Sequence, residues 1–167
     1  VRINFMIKVG INGFGRIGRL ILRAILENYK NKIQVVAIND LGSIETNAHL
    51  IKYDSTHGII NDEVTTSKDG FKISNQHIKV FSERDPENIP WGKAGADIIL
   101  ECTGIFLDKK TSEKHLKGGA KKVIISAPGK EVDFTVVQGV NSNELKKDHN
   151  IISNGSCTTN CLAPVAM

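Results

Sequence analysis

Two short strings in this 167-residue chain carry residue types and spacings suited to chemistry. One is Gly13-Phe14-Gly15-Arg16-Ile17-Gly18, a G-x-G-x-x-G pattern; the other is Ser156-Cys157-Thr158-Thr159-Asn160-Cys161, which follows a glycine-containing turn and starts like a helix. A free thiol has a pKa near ~8.5, so only a small fraction is thiolate at neutral pH. The N-terminus of a helix stabilises the thiolate, and its backbone N–H groups are placed to hold an oxyanion on a carbonyl that the sulfur attacks. Cys157 in that position suits covalent aldehyde chemistry next to a hydride acceptor. Taken alone it fits a packing role equally well, because free cysteines usually behave as small buried hydrophobes. Cys161, one turn deeper, and Cys102, in a strand, are read as packing residues. Cys157 and Cys161 share one helical face as metal ligands would, but no second pair of ligands lies near them, so no metal site is expected.

The glycine string also explains itself as a tight turn into a helix, so its meaning rests on the elements around it. Met6 to Ile11 is a short apolar run that reads as a buried strand. Ile17, Leu20, Ile21, Ala24 and Ile25 recur at helical spacing, with Arg16, Arg19 and Arg23 expected on other faces. Ile33 to Ile38 is a second β-branched run, ending at Asn39-Asp40. Strand, glycine loop, helix and strand form one right-handed βαβ unit, the context a dinucleotide fingerprint requires. Gly13 then permits the turn, Gly15 lets backbone approach a pyrophosphate, and Gly18 lets helix and strand pack closely. The helix N-terminus offers the phosphates free N–H groups and positive potential. Asp40, 22 residues after Gly18, is placed to accept hydrogen bonds from the adenosine ribose. Its charge repels a 2′-phosphate, which favours NAD over NADP. The competing reading makes Asp40 a cap of the helix beginning near Ser43.

The remaining elements complete an α/β chain, read as a Rossmann-type doubly wound, mostly parallel sheet with inserted antiparallel hairpins. Glu45 to Tyr53 and Thr111 to Lys117 read as helices. Stretches around Phe71 and Ile78, separated by Asp69-Gly70 and Asn75-Gln76, read as hairpins. Asp97 to Cys102, Lys122 to Ser126 and Phe134 to Val137 are further strand candidates. Composition agrees with a globular protein, with 40% hydrophobic and 24% charged residues. The formal net charge is only +4 and is scattered, which argues against a nucleic-acid surface. No apolar run is long enough to span a bilayer. Three cysteines do not suggest a disulfide framework, and with no targeting pattern the cytoplasm is the expected compartment.

The strings KVGINGFGRIGR (Lys8 to Arg19), KYDSTHG (Lys52 to Gly58), SERDPENIPW (Ser82 to Trp91) and SCTTNCLAP (Ser156 to Pro164) resemble glyceraldehyde-3-phosphate dehydrogenase from Met6 to the end of the chain. The resemblance implies that Cys157 attacks the aldehyde carbon of glyceraldehyde 3-phosphate. NAD accepts the hydride, and inorganic phosphate cleaves the resulting thioester to 1,3-bisphosphoglycerate. It implies that Arg16 and Ile17 meet the cofactor's phosphates through the glycine loop and Asp40 its ribose. Arg84 and Ser126 match family positions beside NAD, and Thr103 and Gly104 would line the cofactor cleft. Ser156 and Thr158 match positions that hold substrate or attacking phosphate. It further implies a homotetramer, with residues 1–155 as the NAD-binding domain and 156–167 as the start of a catalytic domain. The family's histidine base lies downstream of the nucleophile, whereas the five histidines here all precede Cys157. This stretch alone is therefore expected to be inactive. The family usually has Ser at Cys102, and Val1 to Phe5 precede the family's usual start. Erythrose-4-phosphate dehydrogenase and a stand-alone NAD-binding module are the competing readings.

Overall fold

The computed structural model describes residues 6–167; Val1–Phe5 lie outside the described residues. The β-branched runs form strands because their side chains pack on a pleated, buried surface. In chain order the main elements are β1 (Ile7–Asn12), α1 (Arg16–Ala24), β2 (Ile33–Asn39), α2 (Ile44–Lys52), and the short pair β3 (Tyr53–Asp54) and β4 (Gly58–Ile59). They continue with β5 (Val64–Ser67), β6 (Gly70–Ile73), β7 (Gln76–Phe81), α3 (Trp91–Ala94) and β8 (Ile98–Glu101). The last are α4 (Lys109–Ser112), α5 (Lys114–Lys117), β9 (Lys122–Ile125), β10 (Phe134–Thr135), β11 (Ile151–Ser153) and α6 (Cys157–Ala166).

Among the described residues nine strands form one sheet, in the order β10-β11-β9-β8-β1-β2-β7-β6-β5. From β10 to β7 every neighbouring pair is parallel; only β7-β6 and β6-β5 are antiparallel. The hairpin strands are therefore a meander at one edge, and β7 joins the parallel sheet against β2 rather than interrupting it. β1 runs between β2 and β8. The chain winds outward from β1 through β2, then returns to start β8 on the other side. That reversal opens a crevice at the carboxyl ends of β1 and β8, the position where doubly wound sheets bind ligands.

α1 departs from the expected face. Gly18, Leu22 and Arg23 are its buried positions, and Ile25 and Leu26 follow in the π-turn that continues it, whereas Ile17 is half exposed. Arg23 is only 5% exposed. Its guanidinium donates to the carbonyls of Ile51, Lys52 and Gly58 at 2.8, 3.2 and 3.0 Å. Those carbonyls lie where α2 ends and β3-β4 begin, so a charged residue at a core position is satisfied by backbone acceptors at a helix end. The helix expected over Thr111 to Lys117 is two short turns, α4 and α5, with Glu113 between them.

Candidate functional site

β1 ends at Asn12, and Gly13 turns the chain with φ +85°, a conformation that favours glycine. A Cβ on Gly13 would also lie 2.8 Å from the Thr103 backbone nitrogen. Gly18 has no room either: a Cβ there would sit 2.3 Å from the Gly13 carbonyl oxygen. These two glycines are explained by the protein's own packing. Gly15 is different. Its φ of −72° is ordinary, and a Cβ on it would meet nothing within 4 Å among the described residues. The chain itself thus gives no steric reason for glycine at this position, whereas a ligand approaching the backbone does. Gly15 is also the N-cap of α1, and no side chain caps that helix, so its first-turn N–H groups are left for solvent or a ligand.

Asp40 follows β2 and faces the same loop. One carboxylate oxygen accepts from the Phe14 N–H at 2.9 Å, the other from the Gly42 N–H at 2.8 Å. Ser43, not Asp40, caps α2 by accepting from the Thr46 N–H. The Asp40 carboxylate therefore ties the glycine loop to the end of β2 and keeps acceptor capacity on the crevice side. The crevice has a volume of about 450 Å³, and Gly13, Gly15, Asp40, Arg84 and Thr103 all line it. Gly104, with φ +74°, connects Thr103 to Ile105 at its mouth. Ser126 follows β9, and its hydroxyl hydrogen-bonds the thiol of Cys102, which lines the crevice. Burial pushes the Cys102 thiol up to about 12, the nearby Glu101 charge adding to it and the Ser126 hydroxyl opposing it. The Arg16 guanidinium pairs with Asp54 at 2.6 Å, which leaves the backbone of Arg16 and Ile17 as what the first turn presents.

Asp54, in the KYDSTHG string, anchors the loop that follows β3. It accepts from the Thr56 and His57 amides at 2.9 and 2.8 Å besides pairing with Arg16. Those amides, then Arg16, hold its carboxyl down at about 2. The glycine-loop helix is thus tethered to the 51–58 segment at both Arg16 and Arg23.

The cysteine string forms a second group. β11 ends at Ser153, Gly155 turns the chain with φ +68°, and Ser156 caps α6 by accepting from the Thr159 N–H at 3.0 Å. Cys157 is the first helical residue and is exposed. Ser156 and Thr158 lie beside it with their hydroxyls 2.9 Å apart. Cys161 is exposed too, against the expectation of a buried packing residue, because α6 buries none of its side chains.

Asn12, Asn39 and Glu83 also line the crevice and were not singled out from the sequence. The sequence signal was present: each of the first two ends a strand as a polar residue in an apolar run, the place where a parallel sheet meets its ligand.

Residues 7–109 match the family model described as "Glyceraldehyde 3-phosphate dehydrogenase, NAD binding domain". The chain belongs to the glyceraldehyde-3-phosphate dehydrogenase family. It is 55% identical over 161 residues to the plasmid-borne glyceraldehyde-3-phosphate dehydrogenase of Cupriavidus necator, an alignment covering 95% of this chain and 48% of that one. The enzyme of Streptomyces coelicolor is 54% identical, covering 96% of this chain and 48% of its own length. For Yarrowia lipolytica the figures are 56%, 96% and 47%. The chain spans about half the length of these curated relatives. NAD is the cofactor of the matched domain. The open space at Gly15 and the uncapped α1 fit its pyrophosphate, and the Asp40 carboxylate fits a ribose without a 2′-phosphate. No helix among the described residues is long and apolar enough to cross a membrane.

Proposed function

We propose that this chain provides the NAD-binding and nucleophile-bearing part of a phosphorylating dehydrogenase that converts glyceraldehyde 3-phosphate to 1,3-bisphosphoglycerate. The observation that carries the reading is the pairing, in one chain, of the crevice at the β1-β8 reversal with an exposed cysteine at the first position of α6. NAD, when bound, supplies the hydride acceptor. Gly13, Gly15 and Gly18 shape the loop, the Arg16 and Ile17 amides meet the pyrophosphate, and Asp40 accepts from the adenosine ribose. Arg84, Thr103, Gly104 and Ser126 border the remaining length of the cofactor.

Cys157 attacks the aldehyde carbon, and protonation of the carbonyl oxygen gives a thiohemiacetal. Its hydroxyl proton is lost to a base and its hydride to the bound dinucleotide, leaving an acyl thioester, which phosphate opens to the acyl phosphate and free thiolate. The α6 N–H groups favour negative charge at the sulfur and at the carbonyl oxygen. Ser156 and Thr158 hold the substrate or the attacking phosphate. That α6 buries no side chain supports residues 156–167 as the beginning of a catalytic domain, following an NAD-binding unit of 1–155. We propose the homotetramer as the assembly of the complete enzyme and the cytoplasm as its compartment.

None of the five histidines is assigned the base. His115 is enclosed by Trp91 and Glu101, His77 bonds Asp69 and Ser67, and His49 and His149 pack on Tyr53 and Phe134. His57 takes no part in any hydrogen bond with α6 among the described residues. The chain alone should bind NAD+ without turning over. The test is calorimetric titration with NAD+ and NADP+, followed by an assay for NADH with glyceraldehyde 3-phosphate and phosphate. Selective NAD+ binding without NADH formation is expected. Absence of NAD+ binding, or steady phosphate-dependent NADH production by the chain alone, would refute it.

A further inference from the structure

Beneath the crevice lies a carboxylate with no Lys or Arg beside it among the described residues. Glu101 ends β8, is 1% exposed, and receives four donors on its two oxygens. Oε1 accepts from the Thr103 N–H at 2.8 Å and the Thr103 hydroxyl at 2.5 Å. Oε2 accepts from the Asn12 side-chain amide at 2.6 Å and faces His115 Nε2 at 2.9 Å. The His115 tautomer follows from its other nitrogen. Nδ1 is 3.0 Å from the Trp91 indole N–H, which can only donate. Nδ1 is therefore the acceptor, and the proton sits on Nε2, pointing at Glu101. The ring is neutral, so this contact is a hydrogen bond and not an ion pair.

The chain of bonds continues across the sheet. Asn12 accepts from the Asn39 amide at 2.8 Å, and Asn39 in turn holds the Glu83 backbone through both its amide and its oxygen, at 2.9 and 2.8 Å. The carboxyl ends of β8, β1 and β2 and the segment after β7 are thereby fixed to one another along the crevice floor. The Thr103 hydroxyl also accepts from the Ile105 N–H at 3.1 Å, which shapes the crevice mouth. An apolar side chain would fill the same volume without the desolvation penalty of a buried charge. What the carboxylate adds is the orientation of its four donors.

We propose that Glu101 is a positioning residue for the nicotinamide-bearing half of the cofactor, acting through Thr103 and Asn12. This rests on the dinucleotide reading above. Asp40, Gly15 and the first turn of α1 take the adenosine and pyrophosphate on the β1-β2 side, so the rest of the dinucleotide must cross toward β8, where Glu101 holds the wall.

Glu101→Gln tests this because glutamine cannot satisfy the network in either orientation. Its NH2 would face two donors: the Thr103 pair, or Asn12 and His115. Trp91 locks the His115 tautomer, and turning the Asn12 amide would break its bond to Asn39. NAD+ and ADP are titrated calorimetrically into the native chain and the variant. ADP carries only the adenosine and diphosphate contacts. Glu101→Gln should weaken NAD+ binding about ten-fold or more and change ADP binding by no more than about two-fold. Thr103→Val, which keeps the carboxylate, should give the same split at about three-fold or more, and serves if the glutamine variant does not fold. Nitrogen NMR of the native chain should show His115 as the Nε2–H tautomer. Equal weakening of both ligands, unchanged NAD+ affinity in both variants, or a Nδ1–H His115 would overturn the proposal. If the native chain bound neither ligand, the dinucleotide reading would fall and this one with it. If it bound both and the ratio did not move, only this one would fall.

Discussion

Gly15→Ala separates what the glycine loop does for the fold from what it does for the cofactor. At Gly15 the backbone is extended, with φ −72° and ψ −158°, which alanine tolerates, and the added methyl meets nothing within 4 Å. Two small effects on stability oppose each other. Alanine is a poorer N-cap than glycine, a loss of up to about 1 kcal/mol, while the stiffer unfolded chain returns about 0.4–1 kcal/mol. The net should stay within about 1 kcal/mol, a Tm change below about 4 °C for a domain of this size. The cofactor meets a different balance. A methyl in the open space stands where backbone must approach a pyrophosphate, and a lost hydrogen bond to a charged group is worth about 1.5–3 kcal/mol. That is about ten- to 150-fold in Kd, at about 1.4 kcal/mol per decade. Calorimetric titration with NAD+ and a thermal melt measure the two quantities on one sample. Gly18→Ala is the control: its Cβ would press to 2.3 Å on the Gly13 carbonyl oxygen, and overpacking of that kind costs about 1–3 kcal/mol of stability. If Gly15→Ala binds NAD+ as tightly as the native chain, the phosphates do not approach that backbone. If it unfolds, the space at Gly15 is not open; either result refutes the reasoning.

Three further outcomes are expected. The Asp54 and Asp133 carboxyls are held at about 2, Asp54 by the His57 and Thr56 amides, and Asp133 by the Ile151 and Asn150 amides and Lys109 against the opposing effect of burial. Groups depressed in the folded state favour folding above the ordinary carboxylate pKa of 3.8 and lose that contribution as pH falls toward 2. Urea midpoints should therefore be flat above this range and drop through it, less steeply in Asp54→Asn; an unchanged acid slope would remove Asp54 as a cause. Iodoacetamide should label the exposed Cys157 and Cys161 in the native chain and spare Cys102, whose thiol burial pushes to about 12, until urea is added. Mass spectrometry showing native labelling of Cys102 would contradict this. Replacing Asp40 by Ser should weaken NAD+ binding and narrow its advantage over NADP+, by about ten-fold in the ratio; an unaltered ratio would place the 2′-position elsewhere.

Local chemistry made much of the molecule legible. The βαβ unit was visible because a β-branched run, a glycine string and a helical repeat follow one another within a few residues, each with its own periodicity. The helix start at Cys157 was visible because a glycine turn precedes Ser156, which caps α6. Where the reading failed, the deciding partner lay far along the chain. The helical repeat places Arg23 off the apolar face, yet it is buried because the carbonyls that satisfy it come from 28 to 35 residues away. Asp40 could have capped α2, but Ser43 does so, and the Asp40 carboxylate turns back to Phe14 instead.

The amino-acid sequence by itself determined the alternation of strands and helices, the glycine loop with its acidic partner, and the cysteine at a helix start, since each is encoded in a window of a few residues. Only the tertiary structure decided which strand ends meet at the β1-β8 reversal, that Gly15 faces open space while Gly13 and Gly18 do not, and that Glu101 gathers donors from Asn12, Thr103 and His115. Those facts depend on residues up to 89 positions apart, and side-chain periodicity carries no information on which distant partner will satisfy a buried polar group.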